Sequence, residues 1–298
     1  MLHSPNHVAR AHDVVKLSPF PCFPDGSCDM RFALVGGQRV EACAEARGTC
    51  PRCNGEVIAK CGTHRVAHWA HRGIRDCDSW AEKETDWHRA WKNNFPAECQ
   101  EFVQRDGQSG EKHIADVRTP HGLVIEFQHS HIDPPERAAR ERFYGNMVWV
   151  VDGTRLQRDY PRFDRGRDNF KPTKMPGYFL LSSPHECFPE MWLDSSVPVI
   201  FDFRGVNESQ SPHGFKDTLW CLLPGRAEGS AVVVGMLREQ FVEVAPSRPQ
   251  LLPVQEIMTI ISQHLRQLRV TDAPDLRRFA GIAGRLRRRR YGRAKLAQ

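Results

Sequence analysis

The sequence predicts an α/β protein. A central mixed sheet flanked by helices would carry a Cys/His-rich module ahead of it and a further α+β region behind it. Three observations carry that expectation. Helix-like and strand-like segments alternate between residues 79 and 152. Residues 47–78 are crowded with Cys, His and Gly, in a stretch too short to bury a core of its own. Beyond residue 178, four strand-like runs precede two helical stretches.

Composition sets the outer limits. The 298 residues are 40% hydrophobic and 26% charged, with mean hydropathy −0.53. That excludes a wholly disordered, collagen-like or membrane-embedded chain. No apolar run nears the ~18 residues of a spanning helix; Met147–Val151 and Ala231–Val234 are of strand length. Met1-Leu2-His3-Ser4-Pro5 lacks the basic start and apolar stretch of a secretory leader, so the expected location is cytoplasmic. In that compartment thiols stay reduced, and ten cysteines point to metal before disulfides.

The net charge of +6 is unevenly placed. Seven basic residues, Arg285, Arg287, Arg288, Arg289, Arg290, Arg293 and Lys295, fall in a tail without an acidic residue. Removing them leaves 35 of the 42 basic residues against 36 acidic ones. A balanced body with a cationic arm points to a nucleic acid or another polyanion as partner.

Element by element, residues 1–46 are a proline-containing lead-in followed by a hairpin, Phe32–Val35 and Gln38–Ala42 around Gly36-Gly37. Ser79–Phe95 reads as a helix, with Ser79 and Glu82 as a capping box. Strands are expected at Glu98–Arg105, Lys112–Arg118 and Leu123–Gln128. Pro134-Pro135 opens a helix to about Tyr144, and Met147–Val151 is a buried strand. Residues 161–177, poor in apolar side chains, read as a linker. Strands at Tyr178–Leu181, Val197–Phe203, Leu219–Leu223 and Ala231–Leu237 follow it, then helices at Val254–Leu268 and Ala273–Arg288.

Three clusters carry chemistry. Cys50-Pro51-Arg52-Cys53 is a knuckle that places two thiols on one turn, and His68-Trp69-Ala70-His71 follows fourteen residues later. Paired short spacings suit a tetrahedral structural Zn²⁺ site. The expected ligands are Cys50, Cys53, His68 and His71, with Cys61 and Cys77 as rival fourth ligands. On the 79–95 helix, Trp80, Trp87, Trp91 and Phe95 form an apolar stripe that Glu84 and His88 interrupt. A carboxylate and an imidazole on a buried face need a partner inside. In the third cluster, Asp116 and Glu126 share one face of a hairpin whose other face holds Val117, Ile125 and Phe127. Two neighbouring carboxylates repel unless a cation lies between them, and Mg²⁺ or Mn²⁺ is the usual one.

Taken in order, these residues resemble the competence protein CoiA family, with a PD-(D/E)XK, restriction-endonuclease-like core. The resemblance runs from about Cys50 to Asp152, roughly a third of the chain. It rests on Cys50-Pro-Arg-Cys53, His68-Trp-Ala-His71, Glu84–His88 with Lys92, Ala115-Asp116-Val117, Ile125-Glu126-Phe-Gln128-His-Ser130, Arg140 and Tyr144, and Val148-Trp149-Val150. A weaker likeness continues through Pro189-Glu-Met-Trp192 and Pro198–Asp202.

The resemblance implies a metal-dependent nuclease over 79–160, behind a zinc-knuckle module at 47–78. Residues 178–298 would be a C-terminal region ending in the basic tail. Asp116 and Glu126 would hold Mg²⁺ or Mn²⁺, and Glu84 or His88 would complete the site. Gln128 stands where the motif has lysine, leaving Lys92 or Arg118 to supply the cation. Arg140, Tyr144 and the tail arginines Arg287, Arg288, Arg289 and Arg290 would contact DNA, alongside recombination proteins as partners. The competing expectation is a DNA-binding accessory protein, in recombination or defence, with little or no catalysis.

Overall fold

The computed structural model describes residues 29–73, 77–205 and 217–271. The lead-in before residue 29 and the tail arginines Arg287–Arg290 lie outside the described residues.

A small antiparallel sheet comes first. It comprises β1 (Phe32–Val35), β2 (Gln38–Glu41), β3 (Arg47–Thr49), β4 (Glu56–Lys60) and β5 (His68–His71), in the order β2-β1-β3-β4-β5. Gly36 and Gly37 close the first hairpin at φ +57° and +80°, values open to glycine at little cost. Its core is small: Met30, Ala33, Cys50, Val57 and a fully buried Trp69. The Trp69 indole donates to the Val40 carbonyl at 3.0 Å.

The second sheet is built from β6 (Gln100–Arg105), β7 (Lys112–Arg118), β8 (Val124–Gln128), β9 (Met147–Asp152), β10 (Lys171–Pro172), β11 (Tyr178–Leu181), β12 (Val199–Asp202), β13 (Thr218–Leu222) and β14 (Ala231–Leu237). Its order is β10-β11-β14-β13-β12-β9-β8-β7-β6. Strand β9 runs parallel to both β8 and β12; the other pairs are antiparallel. Helix α2 (Pro134–Tyr144) provides the crossover that a parallel β8–β9 pair requires. Every residue of β8 and β9 is buried, as expected of strands covered on both faces.

Two layers cover the sheet. Trp149, Val151, Val199 and Phe201 pack with Tyr160 and Phe163 of α3 (Asp159–Gly166) on one face. Val148, Val150, Ile200 and Cys221 pack on the other face. Their partners there are Trp91 of α1 (Asp86–Lys92), Phe241 of α4 (Arg238–Val244), and Ile257 and Ile261 of α5 (Val254–Thr271). A mixed central sheet flanked by helices is therefore present. Among the described residues, no helix is long and apolar enough to cross a membrane.

Two segments differ from the sequence reading. Residues 161–177 are not a linker: they hold most of α3, whose Phe163 is fully buried, and β10. The strands that follow join the same sheet as β6–β9. The low apolar count there concealed Tyr160 and Phe163, one turn apart on a single helix face. The helix expected over 79–95 is confined to Asp86–Lys92. Thr85 caps it by accepting from His88 N at 3.2 Å. Upstream, tertiary contacts hold the chain out of the helix, in a turn closed by Ala81 N on Asp78 O. Asp78 accepts from His113 Nδ1 at 2.8 Å and from Ile114 N at 2.9 Å, and Trp80 stacks on His113.

Candidate metal centre and buried ionic site

The knuckle forms as a tight turn in which Asn54 N donates to Cys50 O and Cys50 N to Gly55 O. Asn54 takes the left-handed φ of +58° that turns the chain back. Main-chain amides then point at sulfur: Arg52 N at Cys50 Sγ, 3.4 Å, and Gly55 N at Cys53 Sγ, 3.3 Å. A Cβ on Gly55 would stand 3.1 Å from Cys53 Sγ, so the amide reaches the sulfur because residue 55 has no side chain.

Cys50, Cys53, His71 and Cys77 converge here, with their ligand atoms within 4.8 Å of one another. Cys50 Sγ lies 3.7 Å from Cys77 Sγ, and Cys53 Sγ lies 3.2 Å from His71 Nε2. A tetrahedral zinc with Zn–S bonds of about 2.3 Å separates its sulfurs by about 3.8 Å, so this Cys₃His group could hold a zinc ion. Without a cation, the Cys77 sulfur and burial push the Cys50 thiol up to about 12.

His68 does not join this group. Its Nδ1 faces the Val66 carbonyl at 2.8 Å and its Nε2 faces Asp29 at 3.3 Å. Both histidines lie on β5, and residues three apart on a strand point to opposite faces. The fourth member of the group is instead Cys77, beyond the strand.

The second cluster lies between α1, α2 and the β7–β8 pair. The β7–β8 ladder pairs Arg118 with Val124 and Val117 with Ile125. At the next step, Asp116 and Glu126 face each other and their carboxylates replace the ladder. Phe127 N donates to Asp116 Oδ2 at 2.9 Å, and Asp116 N to Glu126 Oε1 at 3.1 Å. The structure brings the two sequence-predicted carboxylates together on one face.

Cations from the two helices meet this pair. Lys92 Nζ donates to Glu84 Oε2 at 2.6 Å and Glu101 Oε1 at 2.9 Å, and stands 3.9 Å from Asp116 Oδ1. Burial opposes its charge, but Glu101, Glu84 and Asp116 together raise its pKa. Arg140 of α2 donates to Glu126 Oε2 at 3.2 Å and to Glu136. Burial, and then the Asp116 charge, push Glu126 up to about 8, against the pull of Arg140. Burial likewise raises Asp116. Six carboxylates (Asp29, Glu82, Glu84, Glu101, Asp116 and Glu126) line the small cavity here with three fixed cations, Lys83, Lys92 and Arg140.

The other expected residues take different places. Glu84 is held by Lys92 and by Arg89 Nε at 2.7 Å, and Lys92 links it to Asp116. His88 donates from Nε2 to the Phe127 carbonyl at 2.8 Å, and its Nδ1 meets Thr85 Oγ1 at 2.8 Å. It thus positions the strand between the two carboxylates and Gln128. Its pKa is raised: burial opposes the charge, but Glu82 and Asp116 prevail. Gln128 Nε2 donates to Glu82. Arg118 lies over the Phe102 ring, outside the cluster, so Lys92 is the cation beside Asp116. Arg140 and Tyr144 are buried and face inward, so neither reaches a DNA backbone. Their four-residue spacing marked the inner face of α2, where Arg140 meets Glu126.

Sequence reasoning missed Glu82, taken for a capping residue, and Glu101. Glu101 adopts φ +44°, a costly conformation for a non-glycine residue, which turns its carboxylate to Lys92, Arg31 N and Phe32 N. It also ties the small sheet to β6. No pattern along the sequence announces that turn.

The comparisons with known proteins fall on these same segments. Residues 38–79 match the family model described as Competence protein CoiA, N-terminal domain, which spans all four residues of the Cys₃His group. A curated relative, "Competence protein CoiA" from Bacillus subtilis (strain 168), is 26% identical over 145 residues. Over these segments the chain is similar to CoiA proteins. The match covers 44% of this chain and 38% of that CoiA relative's length. No solved structure matches it.

Proposed function

We propose that this CoiA-like protein is a divalent-metal-dependent DNA nuclease with a PD-(D/E)XK-type core, acting in DNA processing, uptake or recombination. One observation carries the reading. Asp116 and Glu126 oppose each other where β7 and β8 part, and Lys92 Nζ stands 3.9 Å from Asp116 Oδ1. The lysine missing at Gln128 thus has a counterpart on α1.

Hard carboxylate oxygens in a cavity with more acidic than basic groups suit Mg²⁺ or Mn²⁺. Asp116 and Glu126 would hold that ion, which polarises the phosphodiester and acidifies a bound water. Lys92 places a fixed positive charge where phosphate charge develops, without reorganisation during reaction. Arg140 keeps Glu126 oriented. His88 fixes the Phe127 carbonyl, and with it the strand between Glu126 and Gln128. The Cys₃His group, loaded with zinc, would hold the small sheet against β6 and β7. The basic tail would add affinity for DNA in a cytoplasmic setting with recombination proteins.

A second reading is an accessory protein that binds DNA without cutting it. It is favoured by the Arg140 guanidinium already seated on Glu126 Oε2. One experiment separates the two. Purified protein is incubated with single- and double-stranded DNA, with Mg²⁺, with Mn²⁺ and with EDTA. The nuclease reading expects metal-dependent cleavage that Glu126→Ala abolishes while zinc content is unchanged. Binding without cleavage under every condition selects the accessory reading.

A further inference from the structure

A cleft lies outside the carboxyl ends of β8, β9 and β12, next to the ionic site. Its volume is about 540 Å³, within the range of roughly 300–1,000 Å³ of ligand clefts. The open ends of parallel strands are where sheets of this kind bind ligands. Gln128 is the wall it shares with the ionic site: it lines the cleft and donates to Glu82 in the smaller cavity.

Two buried acceptors in that wall lack hydrogen-bond partners. Gln128 is 2% exposed and its Oε1 is unpartnered. Asp159 Oδ1 is also buried without a hydrogen bond, with Arg162 no closer than 4.0 Å. Buried acceptors left open are uncommon and costly unless something donates to them. At the rim stand Arg155 and Arg158, both exposed. Among the described residues, neither guanidinium makes an ion pair within 4.0 Å or a side-chain hydrogen bond, and both act on Asp159 only through their charge. Leu156 and Met191 contribute apolar wall. The other wall carboxylates are Asp152, held by His129 and Thr154, and exposed Glu190.

Open acceptors inside, apolar wall and arginines at the mouth suit a nucleotide better than a bare anion. We infer that this cleft receives one nucleotide of a DNA strand. Its base lies inside, with the exocyclic amino group donating to Gln128 and Asp159, and its phosphate lies on Arg155 and Arg158. The inference rests on the nuclease reading for the identity of the strand, and it seats that strand across Gln128 from Asp116 and Glu126.

The test is binding of short fluorescent oligodeoxynucleotides to the full chain, without added Mg²⁺ or Mn²⁺. Arg155→Glu/Arg158→Glu should bind at least tenfold more weakly. Its salt dependence should be shallower by about 1.4, at about 0.7 per phosphate neutralised on a single strand. Arg155→Lys/Arg158→Lys, which keeps the charges, should retain most of the affinity. Oligodeoxycytidylate should bind several-fold more tightly than oligothymidylate, which has no exocyclic amino group. The inference is overturned if the charge-reversed protein keeps wild-type affinity and salt slope, if the two oligonucleotides bind equally, or if no oligonucleotide binds. Those results leave the cleavage assay untouched, whereas wild-type cleavage by Glu126→Ala would remove the nuclease reading and leave the binding result standing.

Discussion

The Lys92 ammonium stands 3.9 Å from Asp116 Oδ1 and bonds Glu101 Oε1, so one buried cation joins the acidic hairpin to a left-handed turn in β6. Lys92 lies on the last turn of α1, which is only seven residues long. A helix that short has little stability of its own. The ion pairs at its end therefore hold the helix as much as they hold the site.

Lys92→Met should be strongly destabilising for that reason. It leaves Glu101 buried without its ion-pair partner and Glu84 with Arg89 alone, and breaking a buried pair from one side costs about 3–5 kcal/mol. Denaturant unfolding should show the midpoint fall without a matching change in slope. A loss below about 1 kcal/mol would mean that water or a rearranged Arg89 takes over the two carboxylates.

The zinc ligands can be told apart by metal analysis. Wild-type protein should carry about one zinc per chain. Cys77→Ser should lose it and unfold at lower temperature, because the small sheet has few buried side chains to hold it. His68→Ala should keep zinc, since His68 faces Asp29 rather than the cluster. Loss of zinc from His68→Ala together with its retention in Cys77→Ser would reverse the assignment.

What the sequence disclosed follows from how local each cause is. The Asp116–Glu126 juxtaposition was legible because strand alternation and an odd loop length settle it within a single hairpin. Cys50, Cys53 and His71 were legible from spacing. The choice of Cys77 over His68 was not, because it depends on whether the HxxH segment is a strand, where the two imidazoles diverge, or a turn. The helix over 79–95 failed for a tertiary reason. Trp80 fits the 3.6-residue stripe by coincidence, but its ring is claimed by His113. Arg140 fails as a DNA contact for a similar reason: a basic residue on a helix suggests solvent until a buried carboxylate such as Glu126 is found opposite it. The continuity of the large sheet across residues 161–177 was also hidden. It depends on β12 pairing in parallel with β9, Val199 opposite Trp149, and those strands are far apart in sequence.

The basic tail gives an independent handle on DNA binding. Deleting residues 285–298 should weaken binding and flatten its salt dependence, by about 0.9 in slope for each duplex phosphate that the arm neutralises. Cleavage at saturating DNA should persist, since no residue of the ionic site is touched. Unchanged affinity and slope would assign the arm another role.

The last prediction concerns pH. In metal-free protein Glu126 titrates near 8, from an ordinary value of 4.5, because burial and the Asp116 charge both disfavour its ionised form. The folded state therefore holds a proton that the unfolded state releases above 4.5, and stability must fall as pH rises from 4.5 towards 8. His88, whose pKa is also raised, adds in the same direction: its stabilising charge is present below the ordinary value of 6.5 and lost as pH rises through its folded value. The carboxylates with lowered pKa, Glu82 and Glu84 among them, act below 4.5 and leave this window unaffected. Glu126→Gln keeps a neutral group of the same shape and should flatten the fall, leaving the part due to His88 and to Asp116, whose pKa burial also raises. Mg²⁺ should do the opposite of a proton, binding more tightly as pH rises to about 8 and restoring stability there. Thermal midpoints of wild type and Glu126→Gln between pH 5 and 8, with and without Mg²⁺, check both effects. Parallel profiles for the two proteins would show that Glu126 is already ionised at neutral pH and that Arg140 alone suffices to hold it.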